Sequence, residues 1–227
     1  MSNYKTSEHY GQALSHIHDT GFTGVAEAAA DMLISRLKAS GLTRGRVTDL
    51  GCGSGILARK LLDQGYAVEG IDQSDSMLAL ARSHAPNAVF RHESLLECEI
   101  PPSIAVCAIG ESFNYLFDRN NNDEALDRVL HRVHQSLESG GILMFDIATP
   151  DRITKAPAKT FYNTQNWTTL VENIHLETPM MMTRKISSFI KDGEYYERVD
   201  ETHHLRLIDP DMLAHRLTML GFEFEMF

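Results

Sequence analysis

Residues 46–58, RVTDLGCGSGILA, pass from a β-branched run through three alternate glycines into an apolar segment. Ile56, Leu57, Leu61 and Leu62 follow at helical spacing and stop at Gly65. The reading is a strand, a tight turn and a helix. Glycines at 51, 53 and 55 let the backbone turn sharply and let a ligand approach without Cβ clashes. The helix that follows presents free N–H groups. Such a turn binds a nucleotide-like ligand at the carboxyl ends of strands.

The same grammar repeats along the chain. Residues 66–72 (YAVEGID) read as a strand, and Ser74 caps a helix that runs to His84. Pro86 breaks it, and residues 88–90 (AVF) and 104–110 (IAVCAIG) read as two more strands. The second is continuously apolar, the mark of a strand buried on both faces. Asp123 to Leu137 reads as a helix and 142–147 (ILMFDI) as a fifth strand. Strands alternating with helices mean an α/β fold, doubly wound, with a mostly parallel sheet and helices on both faces.

Upstream, Val25 to Leu37 has helical spacing, while residues 1–22 are polar and carry Tyr10, His9, His16 and His18. After Pro150 the pattern changes: 151–166 reads as a loop, and 167–207 alternates with Asp192-Gly193 as a hairpin turn. This predicts a small antiparallel β insertion. Asp209-Pro210 opens a last helix to Leu220, and FEFEMF after Gly221 reads as one more strand. The expected organisation is an N-terminal helical or lid segment (1–40), a cofactor-binding core (41–150), an antiparallel substrate cap (151–207) and a C-terminal helix and strand that complete the core (208–227).

The 227 residues amount to about one and a half domains at ~150 residues each. Hydrophobic residues make up 43% and charged residues 23%, a balance that supports a packed core. The net charge of −10 argues against bulk nucleic acid or an anionic membrane as partner. Three cysteines without CxxC spacing indicate neither a disulfide framework nor a metal site. The N-terminus lacks an apolar targeting region and no run of 18 apolar residues occurs, so a cytoplasmic protein is expected.

The ligand class follows from what surrounds the glycines. A phosphate-binding P-loop needs Gly-Lys-Ser/Thr, and this turn continues Gly55-Ile56-Leu57. A dinucleotide loop of the form GxGxxA is satisfied by residues 53–58, which keeps a nicotinamide-dependent oxidoreductase as an alternative. Asp49, at the strand end, tips the choice, because it can hold the ammonium of an amino-acid moiety and would repel a pyrophosphate. Asp72, 17 residues after Gly55, can accept both ribose hydroxyls of an adenosine in either cofactor.

Four ordered segments carry a resemblance: VTDLGCGSG (47–55), GIDQSDSML (70–78), GESFNYL (110–116) and SGGILMFD (139–146). Together they resemble class I S-adenosylmethionine-dependent methyltransferases over roughly residues 40–150. DETHHLRL (200–207) is more loosely similar to small-molecule members, including those that methylate amino groups of glycine or nucleotide sugars. The resemblance implies a Rossmann-like core with S-adenosyl-L-methionine as cofactor. Asp49, Gly51, Cys52, Gly53 and Gly55 would cradle its methionine half. Asp72 would bind the ribose, with Gln73 and Met77 flanking the adenine. The family's acid after the third strand is missing from His92-Glu93-Ser94-Leu95. Ser94 stands in its place, so Ser94 or Glu93 would supply the adenine contact, beside Leu95. Gly110 and Glu111 would line the cleft, Tyr115 would lie near the methyl group, and Tyr10 would cover the methionine carboxylate.

Methyl transfer is an in-line displacement, so alignment and exclusion of water dominate. An amine or hydroxyl acceptor must lose a proton, which histidine can take near neutral pH. His203 is the first candidate, since Glu201 points the same way along a strand and can orient its ring; the alternative is a polar strand face. His18 is the second, on an N-terminal segment that can fold over the cleft. Met180-Met181-Met182 offers a pliable substrate wall or plain packing. The expected function is methyl transfer to nitrogen or oxygen of a small molecule. An oxidoreductase and a non-catalytic cofactor-binding protein are the alternatives. A terminal strand with Phe222 and Phe224 on one face would need cover from the N-terminal segment or a second copy in a homodimer.

Overall fold

The computed structural model describes residues 10–152, 158–175 and 180–227. His9 lies outside the described residues. Five strands form the central sheet: β1 (Arg46–Leu50), β2 (Ala67–Asp72), β3 (Val89–His92), β4 (Ser103–Ala108) and β5 (Leu137–Phe145). Their order is β3-β2-β1-β4-β5, and every pairing is parallel. β4 is buried at all six positions, as its unbroken apolar run requires.

Helices cover both faces. Val106 and Ala108 face a core with Leu126, Val129, Leu130 and Val133 of α5 (Asp123–Ser136) and Leu213 and Leu217 of α6 (Pro210–Met219). Ala105 and Cys107 face the opposite core, with Leu33 and Leu37 of α2 (Gly24–Ala39) and Leu57 and Leu61 of α3 (Ile56–Asp63). The period-two alternation along β4 thus feeds two hydrophobic layers. Side-chain caps start the helices where the sequence supplies them. Ser74 accepts the Met77 N–H at 3.1 Å to open α4 (Asp75–His84), and Asn122 accepts the Ala125 N–H at 2.8 Å to open α5.

The polar N-terminal stretch contains a helix, α1 (Gln12–Gly21), that buries Leu14, Ser15 and Ile17. Trp167 anchors its far end by donating its indole N–H to Thr20 Oγ1 at 3.1 Å. A Cβ on Gly21 would come within 2.4 Å of the Trp167 ring, so only glycine lets the two meet.

The cap is a four-stranded antiparallel sheet in the order β6 (Lys159–Asn163), β7 (Trp167–His175), β8 (Met181–Asp192) and β9 (Tyr195–Arg206). Within 151–166, expected to be loop, residues 159–163 are therefore a strand, paired along β7. The segment after β4 joins the cap to the core. Tyr115 bridges Leu205, and the Leu116 N–H donates to the His204 carbonyl at 2.8 Å. The buried Asn114 amide donates to the carbonyls of Ala148 and Arg206 and accepts the Ala148 N–H.

The expected final strand is absent: residues 222–227 belong to no sheet. The N–H groups of Gly221 and Phe222 close α6 on the carbonyls of Thr218 and Leu217, a Schellman-type stop that turns the chain. Phe222 then packs edge-on against His134 of α5, and Glu225 pairs with Arg36 at 2.7 Å. The homodimer expectation rested on an unpaired strand here and loses that basis. Among the described residues no helix is long and apolar enough to cross a membrane.

Candidate active site

The glycine turn is held from two sides. The N–H groups of Gly51 and Cys52 both donate to the Ile71 carbonyl, at 2.7 and 3.0 Å. Asp72 then ties the turn to α4, accepting Gly53 N–H on Oδ2 at 2.9 Å and Ser74 N–H on Oδ1 at 2.8 Å. Burial raises the Asp72 pKa, and these N–H groups oppose the rise. Each oxygen keeps lone-pair capacity for a further donor.

Asp49 sits 2% exposed at the carboxyl end of β1 and lines the cleft. No described residue donates a hydrogen bond to its carboxylate. Burial, and secondarily the charge of Asp72, push its pKa up to about 7. A buried acid facing a cleft without a partner fits a cationic ligand group. Cys52 is buried, and burial pushes its thiol well above the ordinary range, so it packs and does not react.

From this turn a cavity of about 840 Å³ extends to the cap. It is lined by Asp49, Gly53, Asp72, Gln73 and Met77 of the core, and by His18, Phe22, Tyr162 and Ile186 from the N-terminal segment and the cap. Gly110 and Glu111 line it as well. Glu111 holds a left-handed backbone (φ 63°), uncommon for a residue with a side chain. Its N–H and that of Gly110 donate to Asp146, which secures the conformation. The Glu111 carboxylate, 6% exposed, pairs with Arg152 and, at 3.0 Å, with Arg184. Arg184 also donates to the Tyr115 hydroxyl at 2.9 Å.

Tyr10 is pinned over the cleft. Glu201 accepts the N–H groups of Tyr10 and Gly11 at 3.0 and 3.2 Å. The Tyr10 carbonyl accepts the hydroxyls of Ser15 and Ser74, both at 2.8 Å, so the cap residue of α4 also holds the N-terminal segment. The Tyr10 and Tyr115 hydroxyls are 3.1 Å apart. His203 lies 2.9 Å from Glu201 through Nε2 and is 0% exposed, packed against the rings of Tyr10, Tyr115 and Phe117. Neither Glu201 nor His203 lines the cavity. His18 does, and burial lowers its pKa.

The remaining sequence candidates separate. Glu93 lines the cavity, but its carboxylate is turned onto Arg91, at 2.9 and 2.5 Å, which holds it below the usual range. Ser94 donates to Asp118 at 2.9 Å, while Leu95 lines the cavity. Met182 packs with Ala148, Leu205 and Leu207 and lies away from the cleft. Asp118, Asp146, Arg152 and Arg184 had no signal of their own in the sequence.

Residues 47–141 match the family described as methyltransferase domain. YqeM of Bacillus subtilis (strain 168) is 26% identical over 208 residues, spanning 88% of this chain and 82% of that protein. Residues 47–141 therefore carry a methyltransferase domain, and the proteins that the chain is similar to are methyltransferases. An S-adenosylmethionine-dependent methyltransferase from Clostridium acetobutylicum ATCC 824 superposes with a TM-score of 0.76 at 22% identity, covering 91% of this methyltransferase and 85% of that chain. The sugar N-methyltransferase KedS8 from Streptoalloteichus sp ATCC 53650 gives 0.75 at 18% identity, covering 99% and 90%. The methyltransferase's own residues fit the cofactor: an unpartnered buried acid at 49, spare acceptor capacity at 72, and open space beside Gly53.

Proposed function

We propose that this methyltransferase transfers its methyl group to an amine or hydroxyl of a small molecule held between α1 and the antiparallel cap. The observation that carries the proposal is the continuity of the cavity from Asp49 and Asp72 to the wall formed by His18, Phe22, Tyr162 and Ile186. Its volume, about 840 Å³, is near the top of the range of ~300–1,000 Å³ for ligand pockets and suits two ligands side by side. The net charge of −10 speaks against a polynucleotide acceptor. The likeness to KedS8, a sugar N-methyltransferase, supports a small amine.

The bound cofactor supplies an electrophilic methyl on a good leaving group. The protein's residues supply position and proton traffic. In this proposal Asp49 holds the ammonium, Asp72 the ribose hydroxyls, and Tyr10 closes over the methionine half with Gly51, Cys52 and Gly55 beneath it. Gln73, Met77 and Leu95 border the adenine, and Gly110 and Glu111 separate the cofactor from the acceptor. Tyr115, oriented by Arg184 and Tyr10, borders the transferring carbon. His18 takes the acceptor's proton, since burial favours its neutral form. Glu201 and His203 act as positioning residues that hold Tyr10.

Radiolabelled methyl transfer into fractionated cell extract tests this. Label in the small-metabolite fraction supports the proposal. Label confined to protein or nucleic acid refutes it.

A further inference from the structure

The acid that the family places after its third strand is missing here, and the structure shows what stands in its place. The Glu93 N–H donates to the Asp72 carbonyl at 3.1 Å, which sets the next residue, Ser94, beside the ribose anchor. The Ser94 hydroxyl donates to Asp118 Oδ2 at 2.9 Å. Asp118 arrives from the segment between β4 and α5 and lines the cleft together with Leu95, Leu96, Phe117 and Asn121.

The polar side chains here, Ser94, Asp118 and Asn121, have no proton left to donate into the cleft. The Ser94 proton is given to Asp118. The Asn121 amide donates both protons, to the carbonyls of Phe113 at 3.0 Å and Tyr115 at 2.7 Å, which fixes its orientation. Its Oδ1 is buried without a partner, and Asn121 is 7% exposed. Asp118 Oδ1 takes one N–H, from Asn120 at 2.9 Å, and both carboxylate oxygens keep capacity. Apolar walls with an acceptor-only end suit a flat heterocycle whose edge donates. At the 6-position a 6-aminopurine donates, whereas a 6-oxopurine presents an acceptor that meets like partners and moves its donor to N1.

We propose that Asp118, braced by Ser94 and flanked by the open acceptor of Asn121, selects the 6-amino group of the cofactor's purine. This rests on the cofactor assignment above. It replaces the choice between Ser94 and Glu93: the first becomes a brace and the second is held by Arg91.

Calorimetric titration with S-adenosylhomocysteine and S-inosylhomocysteine tests the proposal without turnover. A hydrogen bond to a charged acceptor predicts that wild type prefers the adenosine compound by about 10–100-fold. Asp118→Asn, whose amide can donate to a 6-oxo group, abolishes or inverts that preference. Asp118→Ser keeps an oxygen for the Asn120 N–H, preserves the turn, and also abolishes it. The proposal is overturned if either variant, folded by circular dichroism and able to bind the adenosine compound, keeps the wild-type preference. It is equally overturned if wild type shows none. Wild type that binds neither compound refutes the cofactor assignment itself, a distinct result.

Discussion

The carboxylate of Asp72 accepts the backbone N–H of Gly53 at 2.9 Å, joining the end of β2 to the turn that leaves β1. One side chain therefore shapes the loop and faces the cleft. The neighbouring Asp49 has no such partner, and burial holds its pKa near 7, above the ordinary 3.8.

That contrast has a pH consequence. A ligand ammonium favours the ionised carboxylate, so binding below about pH 7 expels the Asp49 proton. Affinity for S-adenosylhomocysteine should rise as pH increases toward that value. Titrations in buffers of different ionisation enthalpy should show proton release that Asp49→Asn abolishes. Stability runs the other way. A raised folded pKa means stability that is present below the unfolded value of 3.8 and lost as pH rises through about 7. Urea unfolding of the ligand-free protein should show that loss, and Asp49→Asn should flatten it.

Two glycines of one turn should fail differently. A Cβ on Gly55 would lie 2.9 Å from Ala81 Cα at φ +77°, whereas one on Gly53 meets nothing within 4 Å. Gly55→Ala should lower unfolding free energy by about 2 kcal/mol, from backbone strain and a steric clash. Gly53→Ala should cost less stability and more affinity, because its Cβ enters the cleft. Urea melts and calorimetry on both variants separate the two.

Proton transfer and positioning can also be told apart. His18→Asn should reduce kcat by about 10²–10⁴-fold with little change in cofactor affinity. It should also remove the acid limb of the kcat profile, which burial of His18 places below pH 6.5. Glu201→Ala should instead destabilise the fold by about 3 kcal/mol, since it leaves His203 buried without its carboxylate. Hydrogen exchange in residues 10–21 should quicken while the shape of the kcat profile persists, which a catalytic Glu201–His203 pair would not allow.

β1 and β2 were legible because each ends in a local signal, the glycines after Leu50 and the acid at 72 with the cap at Ser74, and β4 because its apolar run is unbroken. α1 was not, because a ten-residue helix with only Leu14 and Ile17 as large buried side chains carries little periodic signal. Its stability comes from Trp167, distant in sequence. FEFEMF alternates like a strand, but the stop at Gly221 turns the chain onto α5 before a ladder forms. Asp118, Arg152 and Arg184 were invisible for a related reason. They owe their place to contacts such as Tyr115–Leu205, which fold the cap over the core.

The most direct test is calorimetry of S-adenosylhomocysteine against wild type and Asp72→Ala. Two charge-assisted hydrogen bonds to the ribose predict saturable binding to wild type and an affinity about 10–100-fold weaker in the variant. A wild-type protein that does not bind the compound, or a variant that binds it unchanged, would contradict the account.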